Sequence, residues 1–377
     1  MSMTNTWTCL LLLFALFAVG MTTGTQCPTN CSCIGDSSSA TTSMTVDCQG
    51  HPDVDPERLS DQLDSLLSSN LTYGRLRSLS IINSPLTHVP RSLCRLTTLT
   101  ELHLDHNRLT GLPHNCLSNL SNLFRLTASD NAIVTLHDGV FDGLRNLYSL
   151  DLRRNRISSI GLSVFAVSSD LDSLFHIDIA ENNLTSLEPW LLERGIIGSF
   201  GNVVWINLTH NNISKFTNEM GYHGCDKGIP FTNVDLSDNN IRHIENILKG
   251  WQLDIGTLVS CYGINNGQVS MMVWMNRNNI LCDCVNYNFY KIEIGWQNNY
   301  NLIGWQRVPA VWKLMDCTIV DPITKKSSSI VSNVENLSLF VCELTERCPA
   351  GCVCVRRPAN ATLHVYCSSK NITVLPL

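Results

Sequence analysis

Charge is what this sequence has little of. Asp, Glu, Lys and Arg make up 15% of its 377 residues, and 32 acids against 26 bases leave a net charge of −6. No basic stripe stands along the chain, which argues against nucleic acid and anionic membrane as partners. Long apolar runs are scarce as well. Leu10 to Val19 is too short to span a bilayer, and beyond it nothing approaches a membrane span. With the small residues Thr22 and Gly24 behind it, that run reads as the apolar centre of a secretory signal over residues 1–24, although no Lys or Arg precedes it. An N-terminal anchor is the rival reading. Also missing are a nucleophile at a recognisable spacing from a base and a phosphate-cradling Gly-rich loop, so neither enzyme activity nor a cofactor is expected.

Cysteine, by contrast, is plentiful. Of 17 cysteines, Cys9 leaves with the signal. The rest fall into even groups: Cys27, Cys31, Cys33 and Cys48; Cys94 and Cys116; Cys225 and Cys261; Cys282, Cys284, Cys317 and Cys342; Cys348, Cys352, Cys354 and Cys367. Even groups in a secretory chain imply disulfides formed in an oxidising compartment. Zinc is the alternative, but the spacings C-x3-C-x-C and C-x-C lack the C-x2-C knuckle, so no metal is expected. Four cysteines permit three pairings, and spacing alone leaves the choice open. Nine N-x-[ST] sequons are present, and Asn30 is discounted because Cys31 fills its middle position. Glycosylation is expected at Asn70, Asn119, Asn183, Asn207, Asn212, Asn336, Asn360 and Asn371.

The stretch LTELHLDHNRL places Leu99, Leu102, Leu104, Asn107 and Leu109 at positions 1, 4, 6, 9 and 11 of the pattern L-x-x-L-x-L-x-x-N-x-L. Leu102 and Leu104 are two apart and point inward from one short strand, and the Asn107 amide can bond buried backbone where the chain turns. The same positions recur in eight units that start at Leu76, Leu99, Leu123, Leu147, Leu174, Val203, Phe231 and Ser270. Such a turn cannot bury its own apolar face and must stack on copies of itself. The expected fold is an α/β leucine-rich-repeat solenoid, curved, with a parallel sheet on its concave face and disulfide-bonded caps at both ends.

The chain therefore divides into a signal (1–24), an N-terminal cysteine cap (25–75), about eight repeats (76–281), a C-terminal cysteine cap (282–343) and a second, truncated N-terminal-type cap (344–377). Within the first cap, Asp55 to Ser68 reads as helical, with Leu59, Leu63, Leu66 and Leu67 on one face. Cys94 and Cys116 flank Leu93 and Leu117 on successive turns, which brings them within disulfide reach. Cys225 and Cys261 each precede a repeat start and are paired as staples of two insertions. The C-terminal cap covers a segment with Trp296, Trp305 and Trp312. The second cap, too small to form a core of its own, is expected to add little stability to what precedes it.

An N-terminal cysteine cap, irregular repeats, a CDC-type C-terminal cap and then RCPAGCVCVRRPANATLHVYCSSKNITVLP resemble the ectodomain of Toll receptors of the invertebrate, multiple-cysteine-cluster kind. Slit-like guidance proteins and secreted matrix proteins with capped repeats are the second and third resemblances. The Toll resemblance implies first-to-third and second-to-fourth cysteine pairing in each cap: Cys27–Cys33 and Cys31–Cys48, Cys282–Cys317 and Cys284–Cys342, Cys348–Cys354 and Cys352–Cys367. It also implies a protein ligand of the cytokine kind or a microbial product, and pairing of two receptors. A Toll receptor continues with more repeats, a membrane span and a cytoplasmic signalling domain, so the chain reads as part of a receptor.

Positions 3, 5, 7 and 8 of each repeat are expected to face the concave surface, the usual binding face of a solenoid. The residues chosen there as ligand-binding are Asp151, Arg153, Asp178, Trp205, Asp235 and Trp274. A glycan on Asn207 would stand on the same face and shift binding elsewhere. His103, Asp105 and His106 could hold a metal or sense pH, but ordinary polar filling explains them as well.

Overall fold

The computed structural model describes residues 27–36, 42–48, 55–68, 76–113, 116–165, 171, 173–187, 204–216, 232–244, 272–284, 286–287, 316–321, 324–331, 338–344, 348 and 352–367. The chain forms two compact units, 1–177 and 178–377. The signal, the Cys225–Cys261 pairing, the three tryptophans of the C-terminal cap, and Asn70, Asn336 and Asn371 lie outside the described residues.

In the first unit, β1 (Ser32–Asp36) and β2 (Thr42–Asp47) form an antiparallel hairpin. The disulfides Cys27–Cys33 and Cys31–Cys48 tie it down. From β2 onward the pairing is parallel, through β3 (Leu76–Ile82), β4 (Glu101–His103) and β5 (Arg125–Thr127). A second ladder pairs β6 (Thr135–Leu136) with β8 (Ser159–Ile160), and between them β7 (Ser149–Asp151) continues the main sheet from β5. Register follows the repeat: Leu79, Leu102, Leu126 and Leu150, all at position 4, stand opposite one another and are fully buried.

The helix α1 (Pro56–Leu67) follows from its sequence: Asp55 Oδ1 accepts the Glu57 N–H at 3.1 Å, Pro56 opens the first turn, and Leu59, Leu63, Leu66 and Leu67 are buried. Asp64 then fastens the helix to the first repeat, accepting from Ser92 N at 2.7 Å and Ser92 Oγ at 2.6 Å. On the side away from the sheet, two short 3₁₀ segments (Arg91–Arg95 and Leu117–Asn119) are joined by Cys94–Cys116 across 4.7 Å between Cα atoms.

The turn after each strand is built by position 9. Asn131 Nδ2 donates to Leu104 O, Ala128 O and Ser129 O at 2.9–3.1 Å, while its Oδ1 accepts Leu109 N from the preceding repeat at 2.9 Å. Asn155 repeats the pattern one turn on. Just before it, position 8 takes φ between 49° and 58° in all eight repeats, at Asn83, His106, Asp130, Arg154, Glu181, His210, Asp238 and Arg277. None of these is glycine, so each turn carries backbone strain, offset by the position 9 asparagine in seven repeats, while in the first Ser84 Oγ donates to Ile82 O at 2.9 Å.

The unit boundary falls within β9 (His176–Asp178). In the second unit, β10 (Ser186–Leu187) pairs with β12 (Lys215–Phe216), while β11 (Val204–Asn207), β13 (Thr232–Asp235) and β14 (Met272–Trp274) form the parallel face. Beyond them Cys282–Cys317 and Cys284–Cys342 close the end over the buried ring of Phe340, with the hairpin β15 (Asp316–Val320) and β16 (Ser327–Val331) alongside. Asn286 extends the asparagine series into this cap: fully buried, it accepts Ile244 N at 2.8 Å and donates to Arg242 O and Leu281 O.

The second cap is not free-standing. Its hairpin, β18 (Cys352–Arg357) and β19 (Thr362–Cys367), adds to β17 (Cys342–Leu344), with Leu344 opposite Cys354. Cys348–Cys354 and Cys352–Cys367 close it. Backbone pairing that starts at Cys342 joins this segment to the last strand of the C-terminal cap in a three-stranded sheet separate from β15 and β16.

Candidate protein-binding face

Position 5 carries acids or amides in four successive repeats, and their first task is local. Asp151 Oδ1 accepts Arg153 N, Asp178 Oδ1 accepts Ala180 N, Asn207 Oδ1 accepts Thr209 N and Asp235 Oδ1 accepts Ser237 N, all at 2.9–3.1 Å. Each side chain bends back onto the N–H two residues later and steers the chain out of its strand. What remains for a partner depends on the second oxygen.

Asp151 spends its second oxygen on Arg153, whose Nε lies 3.2 Å away. That Nε is buried and has no well-aligned acceptor, so proximity serves charge more than a hydrogen bond. Asp178 is 7% exposed, and its Oδ2 accepts from Asn207 Nδ2 at 3.1 Å, leaving neither oxygen for an outside donor. Asp235 differs: its Oδ2 has no hydrogen-bond partner among the described residues.

Trp205 and Trp274 stand around Asp235. Strand register puts Trp205 beside Asn233 and Trp274 beside Asp235, on either side of β13. The two rings meet with centroids 5.0 Å apart and planes tilted by 39°, although β13 separates their strands. Both indoles are half-buried on the outer side of the sheet. Asn233 Oδ1 is buried and has no partner among the described residues. An acceptor left so costs about 1–3 kcal/mol. Asn233 was not among the residues singled out from sequence, because a polar x position reads as solvated. Writing the repeats in register would have placed it between Trp205 and position 3 of the next repeat.

The three residues weighed for metal or pH sensing are occupied structurally. His103 Nδ1 lies 3.0 Å from Thr127 Oγ1, Asp105 accepts from Ser129 N and Ser129 Oγ, and His106 lies 3.7 Å from Asp130. His103 and Asp105 meet at Thr127 Oγ1, which donates to Asp105 Oδ2, while His106 turns to Asp130, and no three metal-ligating side chains converge among the described residues. No helix among the described residues is long and apolar enough to cross a membrane.

The Leucine rich repeat family profile matches residues 74–133, 97–157 and 129–184. Fibromodulin of Sus scrofa is 31% identical over 159 residues, which make up 42% of this chain and cover 97% of that sequence. The chain belongs to the leucine-rich-repeat family. Other leucine-rich-repeat relatives are Tsukushi of Xenopus tropicalis, 30% identical over 62% of this chain and 61% of its own length, and osteomodulin of Rattus norvegicus, 31% identical over 39% of this chain and 30% of its own. The chain thus spans less than two thirds of these two proteins. Among solved structures, the Toll–Spatzle complex of Drosophila matches at 20% identity over 82% of this chain and 38% of that one, with a TM-score of 0.48. Human 5T4 matches at 18% identity over 72% and 88%, with a TM-score of 0.39.

Proposed function

We propose that the chain is the extracellular ligand-recognition part of a Toll-like receptor that binds a protein ligand through the outer face of its repeat strands. The observation that supports the face is the Trp205–Trp274 pair, which places two large half-buried rings where polar side chains suffice for solubility. Support for the receptor type is the order of the cysteine clusters, in which a second N-terminal-type cap follows directly on a C-terminal one. A secreted leucine-rich-repeat binder is the second reading, favoured by the similarity to Tsukushi and fibromodulin.

A glycan wedge tests the face. Asp235→Thr turns Asn233, Val234 and position 235 into a sequon and adds a sugar beside both tryptophans. The parent and the glycosylated variant are compared on immobilised cystine-rich cytokines and microbial cell-wall products. Binding by the parent that the wedge abolishes supports the face, and binding that survives full occupancy of the new site refutes it. Extending the transcript past the Leu377 codon separates the two readings: a further repeat block with a membrane span supports the receptor, and an immediate stop supports the secreted binder.

A further inference from the structure

The outer face of the second unit is unusually one-sided in charge. Positions 3, 5 and 7 of β11, β13 and β14, together with Asp178 and Ala180, carry two carboxylates, Asp178 and Asp235, and no cation. At position 8 the carboxylates are Glu181 and Asp238, and the one guanidinium, Arg277, is held by Asp238. His210 lies 3.5 Å from the same carboxylate. Asp178, Asp235 and Asp238 thus outnumber the one arginine, which is held by Asp238 and whose charge also acts on Asp235. Two indole rings lie on this face, with Asp235 Oδ2 and Asn233 Oδ1 alongside, neither of which has a donor among the described residues.

We propose that this face seats an arginine side chain from a basic segment of a protein partner, at the seam between Trp205 and Trp274. A planar guanidinium matches the site in three ways. Its face stacks on an indole, where the ring quadrupole attracts a cation. Its fork delivers N–H groups in a fixed plane toward the Oδ2 of Asp235, which has no partner among the described residues. Its charge meets a face on which Asp178, Asp235 and Asp238 outnumber Arg277. A lysine ammonium supplies the charge without the plane or the fork, and an acidic segment meets repulsion. The reading commits to a protein partner because an arginine projecting from an extended segment can lay its plane on an indole and its fork on Asp235 across one strand face.

This inference rests on the outer strand face being the binding face. The test uses the full glycosylated chain and three short peptides that differ at one residue, arginine, citrulline or glutamate, followed by tryptophan emission and calorimetry. The arginine peptide is expected to shift the emission and to bind at least about ten-fold more tightly than the citrulline peptide, which keeps the shape and loses the charge. Asp235→Asn retains the acceptor for Ser237 N, so the fold is kept. It is made in a Ser237→Ala background, because Asn at position 235 otherwise opens an N-x-S sequon. Against that background it is expected to weaken the arginine peptide about ten-fold, as is Trp274→Leu. Equal binding of the arginine and citrulline peptides overturns the inference, as do preference for the glutamate peptide, unchanged affinity in Asp235→Asn, or no binding of the arginine peptide at millimolar concentration. The broader reading fails separately: a wedge at Asn233 that leaves ligand binding intact removes the face itself, whereas a wedge that blocks binding without arginine discrimination removes only the arginine.

Discussion

Asp238 receives the Arg277 guanidinium from the next repeat, with both residues at position 8 and both in the left-handed backbone region. Asp130 and Arg154 do the same in the first unit, where Arg154 Nε lies 2.9 Å from both carboxylate oxygens. A histidine precedes each acid by one repeat, His106 beside Asp130 and His210 beside Asp238. Side chains at one position of adjacent turns stand about 5 Å apart, so like charges in series would repel. Histidine, acid and arginine in successive repeats keep two like charges from standing side by side in the strained turns.

This ladder gives a pH dependence with a definite sign. The Arg277 hydrogen bond holds the Asp238 carboxyl below its ordinary value of 3.8, burial works the other way, and the charges of His210 and Arg277 add to the lowering. A carboxyl depressed on folding stabilises the protein above its unfolded pKa, and that contribution is lost as pH falls through the lower folded value. Asp238→Asn is expected to melt about 1–2 °C below the parent at neutral pH, a small effect because the pair is exposed. Calorimetry across an acid series should show this gap closing below the ordinary carboxylate range, and a gap that widens on acidification would contradict the assignment.

The asparagine at position 9 carries more weight. Asn155→Ala removes the acceptor for Ile133 N and the donor to Ala128 O, Leu152 O and Arg153 O, all in a buried turn. A loss of about 3 kcal/mol is expected in urea denaturation. Asn146→Ala removes one exposed bond to Ser121 O at 2.8 Å and should cost less than about 1 kcal/mol. Similar losses at the two sites would mean that the buried series is not what sets the turn.

Cys94 and Cys116 are 22 residues apart and join neighbouring repeats on the side away from the sheet. Replacing both with serine frees a loop of that length in the unfolded chain, which corresponds to about 3 kcal/mol. Denaturation of the double variant measures it, and stability equal to the parent would place the staple outside the cooperative core.

Glycan occupancy should differ between two neighbouring sequons. Asn207 Nδ2 donates to Asp178 and its Oδ1 accepts from Thr209, so the amide is tied at both ends and half-buried. Asn212 is exposed, and its amide makes no hydrogen bond among the described residues. Glycopeptide mass spectrometry is expected to find Asn212 occupied and Asn207 largely bare. Full occupancy at Asn207 would set a sugar next to Trp205 and remove the face from use.

Much of this fold can be read from residue spacing. Leucines at positions 4 and 6, two apart and repeated in register, dictate one inward strand face per turn, and Asn at position 9 dictates the turn that follows. Position 8 could not be read, because the left-handed backbone there carries Asn, Arg, Asp, His and Glu, with no glycine to mark it. The face was only half legible. Asp178 and Asp235 share position 5 and an identical local bond, yet one is sealed and the other has an open oxygen. The neighbour across the strand makes that difference: Asn207 donates to Asp178, whereas Trp274 beside Asp235 makes no such bond. The hairpin of the second cap tells the same story, since its cysteines announce a cap and only backbone pairing joins it to β17. By itself, the sequence determined which side chains turn inward, because alternation and turn chemistry act over a few residues. Which outward side chains keep a free polar atom was decided only by the tertiary structure, because that depends on partners 20 to 40 residues away, brought alongside by stacking.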